Sequence, residues 1–168
     1  QCIGMFAIAV WDRQERKLLL IRDRLGEKPV YYGWQSNGHS AFFLFGSELK
    51  ALKKHPAFNA EIDRNSLSLL MRHNYIPAPH SIYKGIYKLE PGSILSISLT
   101  ERDPIVSPYW SLVDKAKAGH DAPYQGTESQ AIDDLEKLLM SAVKQQMAAD
   151  VPLGAFLSGG IDSSTVVA

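Results

Sequence analysis

Seven consecutive residues near the end of the chain, Ser158-Gly159-Gly160-Ile161-Asp162-Ser163-Ser164, have the types and order that suit a phosphate group. The two glycines let the backbone approach phosphate oxygens with no Cβ in the way. Ser158, Ser163 and Ser164 add hydroxyl donors. An apolar segment, Gly154 to Leu157, precedes the string and reads as a short strand. Thr165-Val166-Val167-Ala168 follows and reads as the continuation of a helix. Strand, glycine turn and helix start together aim unpaired N–H groups at an anion. Asp162 does not favour a bare phosphate, so its presence implies a bridging Mg²⁺ or another cation. The plainer alternative is a strand-to-helix turn with a Ser or Asp cap. The whole string in its strand–helix context favours a nucleotide site. It is neither a Walker A loop, since no Gly-Lys-Ser/Thr follows, nor the dinucleotide Gly-x-Gly-x-x-Gly.

The elements upstream form a different pattern. Met5 to Val10 is apolar throughout, as expected of a strand buried on both faces. Lys17 to Ile21 is a second strand, Val30 to Trp34 an aromatic third, and Ala41 to Phe45 a fourth after the hairpin turn Ser36-Asn37-Gly38. Their order favours antiparallel pairing. A short helix is predicted from Ser47-Glu48 to about Lys53, ended by His55-Pro56. A second runs to about His73 with Asp63 as its N-cap. Pro77-Ala78-Pro79 reads as a rigid extended connector, and Ser93 to Leu99 as another strand after Pro91-Gly92. Between Ser111 and Gly126 the apolar pattern fades into a linker. Thr127-Glu128-Ser129-Gln130 then has capping-box spacing, and Ile132, Leu135, Leu138, Leu139, Ala142, Val143 and Met147 share one face of a long helix.

The 168 residues suffice for one domain or parts of two, and 45% apolar content supports a core. Acidic and basic residues balance at 18 each, which argues against a nucleic-acid partner. Cys2 is the only cysteine. An intrachain disulfide is impossible, and a reducing, cytoplasmic setting fits. No apolar run approaches a membrane span. The apolar start lacks the basic leader and cleavage site of a signal peptide, and the chain is expected to begin inside a domain.

Ser158 to Ser164 resembles the pyrophosphate loop of the N-type ATP pyrophosphatases. Gly4-Met5-Phe6-Ala7-Ile8-Ala9-Val10-Trp11-Asp12 resembles a strand of class II glutamine amidotransferase domains, and Arg22-Asp23-Arg24-Leu25-Gly26-Glu27-Lys28-Pro29-Val30-Tyr31-Tyr32 the hairpin after it. Phe45 to Leu52, Tyr75 to Pro79, Lys88 to Gly92, Tyr109-Trp110 and Asp150 to Gly154 fall in the same family order. The chain is thereby similar to the glutamine-hydrolysing asparagine synthetases. That resemblance implies an α+β then α/β chain. Residues 1–110 would be the later half of an N-terminal-nucleophile αββα sandwich, 111–126 a linker, and 127–168 the start of a Rossmann-like ATP pyrophosphatase domain.

The resemblance also implies an enzyme that hydrolyses glutamine and passes ammonia through a channel. It would amidate aspartate by way of an acyl-adenylate; the alternatives are a related amidotransferase acting on a different carboxylate (a sugar, antibiotic or β-lactam precursor) and a degenerate, non-catalytic module. ATP and Mg²⁺ would be needed, and no membrane or nucleic acid; a homodimer is the expected assembly. Leu157 would approach the nucleotide through its backbone, Ser158, Gly159, Gly160, Ser163 and Ser164 would cradle phosphate, and Asp162 would help hold Mg²⁺. Met5 would border the ammonia channel, with core packing the equal alternative. The nucleophilic Cys would lie upstream, leaving no catalytic residue among these 168 and the chain by itself inactive.

Other candidates read as structural. Cys2 is expected to be a buried, apolar-like cysteine. Glu48 and Lys50 are two apart on a helix and should not face each other. Arg22 and Asp23 are expected to serve a structural salt bridge or hydrogen bonds. His39, His55, His73, His80 and His120 lack metal-ligand spacing.

Overall fold

Alternating and aromatic segments in the first two-thirds of the chain build two antiparallel sheets. In this computed structural model, which describes residues 2–168, β1 (Ala7–Asp12) pairs with β2 (Lys17–Arg22), from Ala7 opposite Arg22 to Asp12 opposite Lys17. The Asp12 carboxylate closes their turn by accepting the N–H groups of Gln14 and Glu15 at 2.8 and 2.9 Å. β3 (Tyr31–Ser36) and β4 (Ala41–Gly46) form a second hairpin, whose turn is held by Asn37 Oδ1 accepting from His39 and Ser40 N–H at 3.2 and 3.0 Å. A short Asx side chain doing the work of backbone is what the Asn-Gly signal predicts.

Two helices follow, α1 (Leu49–Leu52) and α2 (Arg64–His73). The Asp63 side chain caps α2 by accepting from the Asn65 and Ser66 N–H groups, and Asn74, in the left-handed region at φ 61°, ends it. Then come β5 (Tyr87–Lys88), β6 (Ser93–Ser98) and β7 (Ile105–Pro108). The strand orders are β1-β2-β6-β7 in one sheet and β4-β3-β5 in the other. β6 alternates buried and half-buried residues, with Ser93, Leu95 and Ile97 buried. One hydrophobic core draws on both sheets: Leu20, Leu95 and Ile97 from the first, Tyr32 from the second, with Val30 and Leu89 from adjoining loops.

The chain divides into two compact units, residues 5–115 and residues 116–168 with the first few residues. The division falls inside α3 (Leu112–Asp121). The second unit carries α4 (Glu128–Gln146) and α5 (Ile161–Val167). α4 opens on the expected capping box: Thr127 Oγ1 accepts from Gln130 N–H at 3.3 Å, and Gln130 Oε1 accepts from Thr127 N–H at 2.9 Å. Thr127→Ala removes one half of that exchange and should lower the stability of α4 by about 1 kcal/mol. Faster amide exchange in the first turn of α4, with residues 5–115 unaffected, is the expected observation.

Several expectations need correction. β1 is not buried on both faces: Ala7, Ala9, Val10 and Trp11 are exposed, because β1 is an edge strand with β2 as its one neighbour. Gly154 to Leu157 forms no strand; among the described residues no other segment pairs with it, so no ladder forms. The stretch read as a linker contains α3, none of whose residues is buried. Its Lys and Ala residues are good helix formers, and a fading apolar pattern signals lost burial, not lost helix. Pro77 to Pro79 is a turn instead of an extended connector, closed by His80 N–H to the Pro77 carbonyl at 3.0 Å. Cys2 is exposed, since it precedes the first ladder pair of β1. Glu48 and Lys50 do meet, at 2.7 Å. Glu48 is the extended cap of α1 at φ −133°, so helical spacing does not govern the pair, and both side chains are solvent-exposed. β5 and β7, two and four residues long, were not anticipated.

Candidate functional site: a glycine turn and a buried hub

The seven-residue string folds as a turn into α5. Gly159 sits at φ +77°, a conformation other residues adopt at a cost, and nothing lies within 4 Å of where its β-carbon would be. Gly160 is the N-cap of α5 and supplies no side-chain cap. The structure brings Ser158 and Ser163 together, their hydroxyl oxygens 3.1 Å apart. The Ser163 hydroxyl also donates to the Gly160 carbonyl at 3.1 Å, and Ser164 N–H donates to the same carbonyl at 3.1 Å. Asp162 lies exposed in the first turn of α5, where a negative charge suits the helix dipole. Leu157 and Ser164 are also exposed, and Ser163 is half-buried.

An open face over Gly159, an uncapped helix start and two converging hydroxyls fit a phosphate oxygen. Among the described residues no three His, Cys, Asp or Glu side chains could hold a metal by themselves. Asp162, exposed in the first turn of α5, could offer a cation one carboxylate oxygen, with the remaining ligands coming from phosphate and water.

Met5 belongs to the other unit and is about half-exposed (45%) just ahead of β1. It is thus not a core residue here. The same unit contains a cleft of about 320 Å³ lined by Asp63, His80 and Lys84 among others, but the Asp63 carboxylate is already engaged in capping α2.

Arg22 and Asp23 form a buried hub, as the structural reading expected, and it is built of hydrogen bonds to backbone. Arg22 donates to the carbonyls of Lys28 (2.9 Å), Leu89 (2.5 Å) and Gly26 (2.5 Å). Burial draws its pKa down from the ordinary guanidinium value, against the pull of Asp23 and Tyr31. The Asp23 side chain accepts from the N–H groups of Phe6 (3.3 Å), Glu27 (2.9 Å) and Lys28 (2.9 Å). Burial alone would raise its pKa; the N–H groups of Lys28, Glu27, Phe6 and Gly26 outweigh that and hold the carboxyl below its usual range. The sequence reading did not anticipate that Gly92 and Tyr109 join this hub. Gly92 N–H donates to the Asp23 carbonyl at 2.8 Å, and the Tyr109 hydroxyl donates to the Arg22 carbonyl at 2.7 Å. Pro91-Gly92 was legible as a turn and as part of a family segment, with no sign of its partners.

Comparison with known proteins places these two parts. Residues 1–110 match the family model described as Glutamine amidotransferase domain. Residues 134–168 match the one described as Asparagine synthase. The class is therefore that of amidotransferase sequences continued by a synthase segment. A putative glutamine-hydrolyzing asparagine synthetase of Methanocaldococcus jannaschii is 40% identical over 166 residues, covering 98% of this chain and 30% of that protein. Asparagine synthetase 3 of Bacillus subtilis, also described as glutamine-hydrolyzing, is 37% identical over 98% of this chain and 25% of its own length. Amidase chyE of Penicillium rubens is 32% identical over 97% of this chain and 22% of its own length. The chain belongs to the family of glutamine-hydrolysing asparagine synthetases. It spans less than a third of the length of these relatives.

Proposed function

We propose that the protein carrying this chain makes asparagine from aspartate, using ammonia released from glutamine, through an aspartyl-adenylate and with AMP and pyrophosphate as the other products. The observation that carries this reading is the succession, in one chain, of the two family matches, with the Ser158–Ser164 turn lying inside the second. On this reading residues 1–110 are the later half of an N-terminal-nucleophile αββα sandwich. Residues 127–168 open a Rossmann-like ATP pyrophosphatase domain, with 111–126 joining the two.

The chemistry explains the parts. A carboxylate is a poor electrophile at neutral pH, and adenylylation gives it a good leaving group. The backbone from Leu157 to Gly160 and the hydroxyls of Ser158, Ser163 and Ser164 bind and orient the phosphates that leave as pyrophosphate. Asp162 offers one ligand to Mg²⁺, which when bound neutralises phosphate charge. Met5 lines the ammonia path, where exclusion of water keeps ammonia unprotonated. The glutamine-cleaving nucleophile is not among these residues.

Aspartate-dependent exchange between labelled pyrophosphate and ATP in the full-length protein tests the reading. Exchange that appears only with aspartate is expected; its absence would sink the asparagine assignment. A second reading keeps the activation and changes the acceptor to another carboxylate, such as a sugar, antibiotic or β-lactam precursor; that one of the similar proteins is named an amidase and not an asparagine synthetase leaves room for it. Exchange driven by such an acid and not by aspartate would select it.

A further inference from the structure

We propose that Asp23, Gly92 and Tyr109 form a positioning relay that fixes the backbone beside Met5 against the segment by which the chain leaves the residue 5–115 unit, and that this keeps glutamine hydrolysis stoichiometric with amide formation. The inference rests on the function proposed above. Both backbone groups of Phe6, the residue after Met5, are held by Asp23: Phe6 N–H donates to Oδ2 at 3.3 Å, and Asp23 N–H donates to the Phe6 carbonyl at 3.0 Å. The Asp23 carbonyl accepts Gly92 N–H at 2.8 Å. The Gly92 carbonyl in turn accepts the N–H groups of Tyr109 and Trp110 at 2.8 and 3.1 Å. A second link closes the circuit, from the Tyr109 hydroxyl to the Arg22 carbonyl at 2.7 Å.

The relay is tight at its centre. Gly92 sits at φ +64°, and a β-carbon there would lie 2.4 Å from the Trp110 carbonyl oxygen. Only glycine lets the exit segment lie this close. Asp23 is 1% exposed, and besides the Phe6 N–H its carboxyl group accepts those of Glu27 and Lys28, so it has little freedom to shift. Phe6 at one end and Trp110 at the other therefore move together or not at all. None of these groups takes part in the chemistry; they set where a strand and an exit segment lie.

Two substitutions read this out in the full-length protein. Tyr109→Phe removes one hydroxyl and keeps the ring. Gly92→Ala displaces the exit segment. The measurements are glutamate formed per amide formed, the kcat/KM for glutamine hydrolysis, amide synthesis from added ammonia, and amide exchange at Phe6–Ala7. Tyr109→Phe should raise glutamate per amide by roughly two- to fivefold, the scale of one neutral hydrogen bond, and Gly92→Ala by more. Glutamine hydrolysis and ammonia-driven synthesis should stay near the unaltered values, while Phe6–Ala7 exchanges faster. Unchanged exchange in both variants overturns the relay. Faster exchange with an unchanged glutamate-to-amide ratio overturns its role in coupling. If the unaltered protein forms no amide from glutamine, the functional reading fails and the coupling with it, and this is seen before any variant is compared.

Discussion

Asp23→Ala should lower the unfolding free energy by about 3 kcal/mol, the cost of leaving three part-buried donors without their acceptor. Three N–H groups, those of Phe6, Glu27 and Lys28, lose their acceptor at once. Two of them shape the loop after β2, and the third belongs to the residue that leads into β1. The loss is a large part of the roughly 5–15 kcal/mol that holds a typical domain together. Asp23→Asn should also destabilise, because its amide presents donors to a site that consists of donors.

The pH dependence follows from the sign of the shift. The folded carboxyl titrates below its unfolded value. Its contribution is therefore full above the unfolded pKa of about 3.9 and is lost as the pH falls through the lower folded value. Denaturant melts from neutral to acid pH should show a steeper acid loss in the unaltered protein than in Asp23→Asn. Equal slopes would mean that the Asp23 carboxylate does not carry this stability.

Asp162→Ala should abolish most of the ATP-dependent step, by about 10²-fold, the scale of removing one electrostatic stabiliser from a reacting phosphate. Glutamine hydrolysis should continue at the unaltered rate, because Asp162 and residues 5–115 fall in separate units. The side chain is exposed and in the first turn of α5, so its loss should leave the melting temperature nearly unchanged. Equal loss of both activities would contradict the division of labour between the two parts. Pyrophosphate exchange and glutamate release, assayed in parallel on one preparation, make the comparison.

The elements most legible in the sequence are those whose signals are local. Asn37-Gly38 marks a hairpin, Asp63 an N-cap and Thr127 to Gln130 a capping box, and each side chain makes the hydrogen bond its type suggests. Signals that depend on distant partners were less readable. β5 is two residues long and exists because Tyr32 and Tyr31 offer ladder positions to Tyr87 and Lys88. The β1 residues are as apolar as a central strand, but strand order, which no local pattern encodes, makes them an edge. The site follows the same rule. The turn into α5 was readable from the order of its glycines and serines, and Gly159 does take the left-handed conformation. The Asp23 hub joins Phe6, Gly92 and Tyr109 across long chain separations, so only the fold brings it together.

The most direct measurement supplies the full-length protein with aspartate, ATP, Mg²⁺ and glutamine labelled with ¹⁵N at its side-chain amide. The account predicts ¹⁵N in the side-chain amide of newly formed asparagine, with AMP and pyrophosphate released in equal amount. Unlabelled asparagine, or ADP and orthophosphate in place of AMP and pyrophosphate, would contradict it.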